Sequence, residues 1–481
     1  VNFYSRSKLS LPPSRPIKRW TSFTNEQKQR FWQRISSPQL FAISFLILIL
    51  GGAVGFKVLP GLYTGEELSW LDALFTSASA VCVTGLIVVD TSTYFTFWGQ
   101  VWIMILIQVG GLGILTFTSL IISTLGRRIS LRQEEYSATL ANLTPNVNPQ
   151  RLVRRVVLFT FGLELVGAIL LYLFWRGQFG TLETVWIAVF HSISAFCNAG
   201  FSTFSDSMMS YDDHVGIMTV IMVLIALGGI GFLTLEETYL WTKFRRRRAR
   251  FVMSLQSRLV LASTAILILG GAAMFWMLEH NFTLAGQGFV QKITNSFFMS
   301  ISARTAGFNT IDYGLTADST NYFTILLMSI GGAPGSLAGG LKTTTVAVLL
   351  LLAWSRFKGQ NHVSIWSRTI PQENINRATQ VALIGFVLVT AAVFVFTLTE
   401  QPYNIEAPRH FIALMFEAAS AFNTVGLSMG LTPDLSPAGK IVTILGMYLG
   451  RVGPLTVGAA VVLNHLGSRT FRYAHEEIVV G

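Results

Sequence analysis

Apolar positions in this chain neither alternate nor recur every third or fourth residue; they run on. Eight mostly apolar runs of about 20 residues or more stand at 39–59, 98–124, 156–175, 215–241, 259–278, 322–354, 379–399 and 439–466. A helix needs roughly 20 such residues to cross bilayer hydrocarbon, so the pattern predicts an all-α polytopic membrane protein with eight spans. Within each consecutive pair of runs lies a shorter helical segment, at 70–80, 182–195, 287–303 and 405–421. These are too short to cross and read as re-entrant helices. Each ends in a small-residue turn that closes on Gly85, Gly200, Gly307 or Gly426. The glycines are 115, 107 and 119 residues apart, and each segment follows a serine: Ser79, Ser194, Ser302 and Ser420. That is a fourfold internal repeat of helix, pore loop and helix around a central pore. It divides the chain into a tail (1–38), repeats at 39–124, 156–241, 259–354 and 379–466, and a second tail (467–481).

Composition agrees with the membrane setting. Hydrophobic residues make up 51% and charged residues 12%, about half the charge of an ordinary soluble domain, and mean hydropathy is +0.53. The first run is too long for a signal peptide and lacks a small-residue cleavage site. Charge then supplies orientation. The four loops that hold the glycine turns carry four Lys or Arg against thirteen Asp or Glu, whereas the tails and inter-repeat linkers carry twenty-seven Lys or Arg. The positive-inside rule puts both termini and the linkers in the cytoplasm. Arg245 to Arg248, directly after a run, read as a topology anchor and an anionic-lipid contact, not as a nucleic-acid site. The net charge of +11 therefore reflects topology, and the acidic outer loops focus cations at a pore mouth.

A ring of backbone turns at membrane depth is how an ion filter is built. The C-terminal ends of the short helices carry the negative end of the helix dipole, which favours a cation. Glycine beyond them reaches backbone angles that a Cβ forbids. The expected ion filter comprises Val83, Thr84 and Gly85; Asn198, Ala199 and Gly200; Thr305, Ala306 and Gly307; and Thr424, Val425 and Gly426. Cys82 and Cys197, each three residues before its glycine, read as small apolar packing residues rather than a disulfide or metal pair.

The second run of each repeat holds a glycine cluster beginning at Gly110, Gly228, Gly331 and Gly450. Close helix packing accounts for the clusters of the first two repeats. The third differs: Gly331, Gly332, Pro334, Gly335, Ser336, Gly339 and Gly340 fall within eleven residues, too much glycine and proline for a helix. The expectation is a broken helix that lays a flexible gate under the filter, with Lys342 just after it. The resemblance of 335–343 to a phosphate-binding loop is spurious, because Leu341 intervenes and no strand precedes. Arg451, in the fourth cluster, sits in the register of this gate, where a guanidinium can hold the loop's carbonyls and oppose a cation. Lys342 is expected to snorkel toward the cytoplasm. Arg304 is expected to point behind the filter and pair with a carboxylate such as Glu417. Glu164 is a candidate ion relay, and Glu236 and Glu237 read as structural.

The set VTGL, NAGF, TAGF and TVGL in four repeats resembles the Trk/Ktr/HKT superfamily of potassium transporters over about residues 39–466, with the bacterial KtrB-type subunits nearest in length. The resemblance implies potassium selectivity, because glycine stands in the first filter where sodium-preferring members have serine. It also implies an intramembrane gating loop at 331–341, a basic gating residue at Arg451, a homodimer, and a KtrA-like cytosolic ring of nucleotide-binding regulatory subunits. Transported potassium is the expected cargo, with sodium stimulation left open, and no cofactor, fixed metal site or catalytic residue is expected. A secondary transporter with broken helices is the alternative, but its repeats would be inverted and fewer. Membrane-embedded catalysis lacks its signatures: the chain has no HExxH and no serine–histidine set, and its seven histidines are scattered.

Overall fold

A computed structural model describes residues 37–124, 149–246, 252–400 and 410–453. Most of the expected tails, the four-arginine stretch beyond Arg246 and the last part of the final run lie outside the described residues.

The described chain is helical apart from a two-residue hairpin, β1 (Ser364–Ile365) with β2 (Arg368–Thr369). In chain order the helices begin with α1 (Ser37–Val58), α2 (Trp70–Val81), α3 (Thr91–Tyr94) and α4 (Phe97–Thr124). Next come α5 (Pro149–Trp175), α6 (Thr181–Cys197), α7 (Val215–Ile230) and α8 (Phe232–Arg246). Then follow α9 (Leu255–Glu279), α10 (Phe289–Ser302), α11 (Asp318–Met328) and α12 (Thr343–Phe357). The last are α13 (Gln372–Thr399), α14 (His410–Asn423) and α15 (Pro437–Val452). The four short helices expected from sequence are α2, α6, α10 and α14.

Burial departs from that of a soluble protein at both surface and core. Leu158, Leu165 and Ile169 on α5, and Leu383, Phe386 and Phe394 on α13, face outward. Ser79, Ser194, Ser302, Ser420, Glu164, Glu279 and Glu417 are buried. Apolar side chains outside, with polar groups buried among an apolar core, suit a lipid surround, where buried polar groups must find partners inside the fold. By length and composition 154–175, α9 and α13 are each long and apolar enough to cross a membrane, and α7 with part of α8 forms a fourth candidate bent by 101°. The other apolar helices are shorter.

The second helices correct the sequence reading. Only the third was expected to break, yet each cluster holds a glycine outside helical geometry. Gly113 interrupts α4 at φ 68° and ψ 162°, Gly231 separates α7 from α8 at φ 87°, and Gly453 ends α15 at φ 90°. The packing reading holds for the first glycine of those clusters. A Cβ at Gly110, Gly228 or Gly450 would stand 2.0, 2.0 or 1.7 Å from the carbonyl oxygen of Val81, Phe196 or Phe422. One glycine lets the short helix in, and the last breaks the long one. In the third repeat the break is longest, running from the end of α11 at Met328 to the start of α12 at Thr343.

Two carboxylates tie the first helix of a repeat to the second. Fully buried Glu279 accepts from the Thr283 N–H and hydroxyl (3.2 and 2.8 Å), the Ala317 N–H (3.0 Å) and the Thr320 hydroxyl. Glu400 does the same for the start of α15, accepting from the Ser436 N–H and hydroxyl at 2.9 and 2.6 Å. An anion at a helix N-terminus also meets the favourable end of the dipole. Glu279→Ala leaves four donors unmet, the fully buried Thr320 hydroxyl among them, and is expected to lower stability by about 3 kcal/mol, read as a fall in Tm of the detergent-solubilised protein. Glu400→Ala, which leaves two donors unmet, is expected to cost less.

Candidate functional site

The four glycine turns meet as a closed ring. A Cβ at Gly85 would lie 2.4 Å from the Ala199 carbonyl oxygen, and one at Gly200 would lie 2.9 Å from that of Ala306. At Gly307 it would lie 2.6 Å from the Val425 oxygen, and at Gly426 2.1 Å from the Thr84 oxygen, which returns to the first repeat. Each glycine has positive φ (96°, 72°, 79° and 93°), and so has the residue two before it: Val83, Asn198, Thr305 and Thr424. Both neighbour contact and backbone angle therefore exclude a side chain.

Backbone N–H groups of the turns are consumed by the short helices behind them. In the first repeat Val83, Thr84 and Gly85 donate to the Ala80 and Ser79 carbonyls and to Ser79 Oγ (3.1, 2.8 and 3.1 Å). In the fourth, Thr424, Val425 and Gly426 repeat this with Ala421, Ser420 and Ser420 Oγ (3.1, 2.9 and 3.0 Å). In the second, Asn198 and Ala199 donate to Ala195 and Ser194, and in the third Ala306 donates to Ser302. There the serine hydroxyls reverse role, donating to the Phe201 and Phe308 carbonyls. This explains the serine that precedes every turn: it latches the turn to its helix. Among the described residues no N–H donates to the carbonyls of 83–85, 198–200, 305–307 or 424–426. Twelve expected site residues thus form one ring in which nine backbone N–H groups are engaged by the short helices and the carbonyls accept no N–H among the described residues.

The segment between α11 and α12 lies directly against this ring. A Cβ at Gly339 would stand 1.8 Å from Thr424 Oγ1, and one at Gly340 2.8 Å from Asn423 Oδ1. The segment closes on itself through Gly331 N–H to Leu341 O (2.7 Å) and Thr343 N–H to Gly332 O (3.0 Å). It docks on the second repeat through Ala333 N–H to Gly229 O and Leu337 N–H to Gly228 O (2.9 and 3.2 Å), and Phe232 donates to Gly335 O. Pro334 and Ser336 occupy the same turn, where Gly335 has φ 73°. Arg451 of the fourth repeat donates Nη1 to the Leu337 carbonyl and Nη2 to the Gly110 carbonyl of the first at 3.0 Å. One segment therefore contacts all four repeats.

Two expectations are corrected. Lys342 does not reach away from the segment; its Nζ donates back to the Ala338 carbonyl at 2.7 Å. Arg304 does not pair with Glu417. It is buried at 7% exposure, its Nε has no partner among the described residues, and it lines a small cavity with Asn198, Thr264, Gly229 and Gly332. Glu417 instead accepts from the Ser428 hydroxyl at 3.0 Å and the Thr432 hydroxyl. Cys82 and Cys197 are free, buried thiols behind their turns, and Cys197 Sγ lies 3.5 Å from Gln108 Oε1. Gln108 in turn donates to both oxygens of Glu164 at 3.1 Å, joining the first two repeats. Glu236 pairs with Arg155 at 2.7 Å and Glu237 accepts from Ser254, so both bind neighbouring helices.

Outside the ring, the loops of neighbouring repeats are stitched together. Ser205 donates to Asp90 Oδ2 at 2.6 Å, and Met208 N–H donates to Asn309 O at 3.0 Å. Burial raises the Asp90 carboxyl, but the hydroxyls of Ser205, Thr93 and Ser92 and the Ser92 N–H outweigh it and hold the group below the usual carboxylate range. A fixed negative charge thus stands in this outer loop.

A closed ring of free carbonyls at the centre of an apolar-jacketed helical fold defines a cation-handling membrane protein. Residues 34–468 match the family model described as TrkH, cation transport protein, and the chain belongs to that family. It is 40% identical over 427 residues to the Ktr system potassium uptake protein B of Bacillus subtilis, covering 88% of this chain and 93% of that one. It is 36% identical over 457 residues to the potassium/sodium uptake protein NtpJ of Enterococcus hirae, covering 94% and 99%. The crystal structure of the potassium transporter TrkH from Vibrio parahaemolyticus has the same fold, with a TM-score of 0.68 at 18% identity over 88% of this chain and 85% of that one.

Proposed function

We propose that this chain takes up potassium across the bacterial plasma membrane through a channel-like pore. Four helix–loop–helix repeats supply eight spans around it, with both termini cytoplasmic. The observation that carries the reading is the closed ring of turns. Carbonyls freed of hydrogen bonds replace an ion's lost water, and at membrane depth free carbonyls are tolerable only beside such an ion or a water-filled path. The filter is 83–85, 198–200, 305–307 and 424–426. The segment 331–341 is the gate, with Lys342 and Arg451 holding its carbonyls. Its contact with Thr424 and its reach to all four repeats support that role.

Relatives named for potassium uptake support potassium as the cargo, and the potassium/sodium uptake relative keeps sodium in view. Relatives named as components of a Ktr system support a regulatory partner, here a KtrA-like cytosolic ring on a homodimer of this chain. Expression in a bacterium lacking its own potassium uptake is expected to restore growth at low potassium, and reconstituted vesicles are expected to take up potassium in preference to sodium. A well-expressed chain that restores neither growth nor flux would remove the assignment.

A further inference from the structure

The four repeats are not equivalent behind the ring. Three residues before each latching serine, the short helices carry Thr76, His191, Met299 and Glu417. Two residues beyond each ring glycine stand Ile87, Ser202, Asn309 and Ser428. In the second repeat His191 Nε2 lies 2.9 Å from Ser202 Oγ, and in the fourth Glu417 Oε2 lies 3.0 Å from Ser428 Oγ. The first and third repeats lack this chemistry. Ile87 and Met299 cannot make the bond, the Thr76 hydroxyl has no partner among the described residues, and the Asn309 amide donates to Ile311 O.

Ring order decides what the alternation means. The glycine contacts run from the first repeat to the second, third, fourth and back, so the second and fourth turns face each other across the ring. One diagonal carries a bond from a short-helix side chain to the side chain two residues past the glycine, and the other does not.

Both braces are anchored from behind. His191 Nδ1 lies 2.9 Å from the Ile187 carbonyl and must be its donor, which leaves Nε2 of the neutral ring to accept from Ser202. The ring is fully buried and stacks on Phe204. Ser202 Oγ also accepts the Phe204 N–H at 2.9 Å, and that loop holds Asp90 of the first repeat and Asn309 of the third. Glu417, also fully buried, binds Ser428 and Thr432, and Ser428 Oγ accepts the Gly430 N–H at 3.0 Å. No cation pairs with Glu417 among the described residues, so in its ionised form it is a buried negative charge behind the fourth turn.

We propose that His191 and Glu417 are positioning residues that set ion choice. Through Ser202 and Ser428 they fix the outer ends of the second and fourth turns, and so fix the diagonal carbonyl spacing against collapse onto the smaller sodium ion. Stiffness on one diagonal suffices, because an ion on the axis meets both members of that pair at once. The proposal rests on the filter assignment above.

The test uses the whole chain, reconstituted in vesicles, with uptake of potassium and of sodium measured in parallel. Ser428→Ala and Ser202→Ala, small changes that leave the short helices intact, are each expected to raise sodium uptake relative to potassium by about fivefold, roughly the worth of one hydrogen bond. Glu417→Gln is expected to shift the ratio the same way, and Ser428→Thr to restore it. Thr76→Val and Met299→Leu, at the matching places of the unbraced diagonal, are expected to keep the wild-type ratio. A purely structural role would lower both fluxes together and leave the ratio fixed. That result, or an equal shift from the unbraced diagonal, would overturn the proposal. Wild-type chain that carries no potassium at all would instead overturn the function on which it rests.

Discussion

Gly426→Ala is expected to abolish potassium uptake while the protein still reaches the membrane. The residue sits at φ 93°, where an L side chain is strained, and its Cβ would stand 2.1 Å from the Thr84 carbonyl oxygen. Backbone, not a flexible side chain, occupies that space, so the ring must open or the turn must leave it. Strain of about 1–2 kcal/mol from the left-handed angle is the smaller part of the effect. Displacement of a carbonyl of the proposed filter is the larger, because ion coordination there would depend on all the turns together. Gly85→Ser is the milder version: its Cβ meets the Ala199 oxygen at 2.4 Å. It is expected to leave measurable flux but reduce potassium preference over sodium about tenfold, an energy near 1.4 kcal/mol. Uptake measured in vesicles separates the two outcomes, and wild-type selectivity in Gly85→Ser would show that 83–85 is not part of the filter.

Much of this ring was legible in the sequence. A serine, a small-residue stretch and a glycine recurring four times placed the short helices close to their observed ends, because a serine that latches a turn and a glycine that needs positive φ leave few alternatives. The glycine clusters were harder. Gly110 and Gly113 look alike in the sequence, yet the first admits a neighbour's carbonyl and the last turns the chain. Only the position of α2, fixed by tertiary packing, separates the two roles. The partners of Arg304 and Glu417 were illegible for a related reason. They were matched as opposite charges, but Glu417 lies within reach of two hydroxyls from the outer loop, and Arg304 lines a cavity between the second and third repeats. The alternating braces were present as Ser202 and Ser428, two residues past their glycines. They carry no signal until the ring order shows that they face each other.

The proposed gate yields the other large expected effect. Arg451 holds the segment 331–341 by donating to Leu337 O while its other nitrogen holds Gly110 O, so it clasps the loop to the first repeat. Hydrogen bonds from a charged donor contribute about 1.5–3 kcal/mol each, and losing one to the loop moves a closed–open equilibrium by roughly tenfold to a hundredfold. The loop's remaining bonds, through Gly229, Gly228 and Lys342, are neutral backbone pairs or local to the loop. Arg451→Ala is therefore expected to raise potassium flux at least tenfold in vesicles that contain no regulatory partner, and to remove a positive charge that opposes the cation. Arg451→Lys can keep one carbonyl but cannot span both, and is expected to fall between. Shortening 331–341 removes the loop from Thr424 and should match the alanine variant, while the two changes combined should add little, because both release the same element. Unchanged flux in Arg451→Ala at equal protein density would mean that the clasp stabilises the fold without closing the pore, and the gate would then have to be sought in the breaks at Gly113 or Gly231.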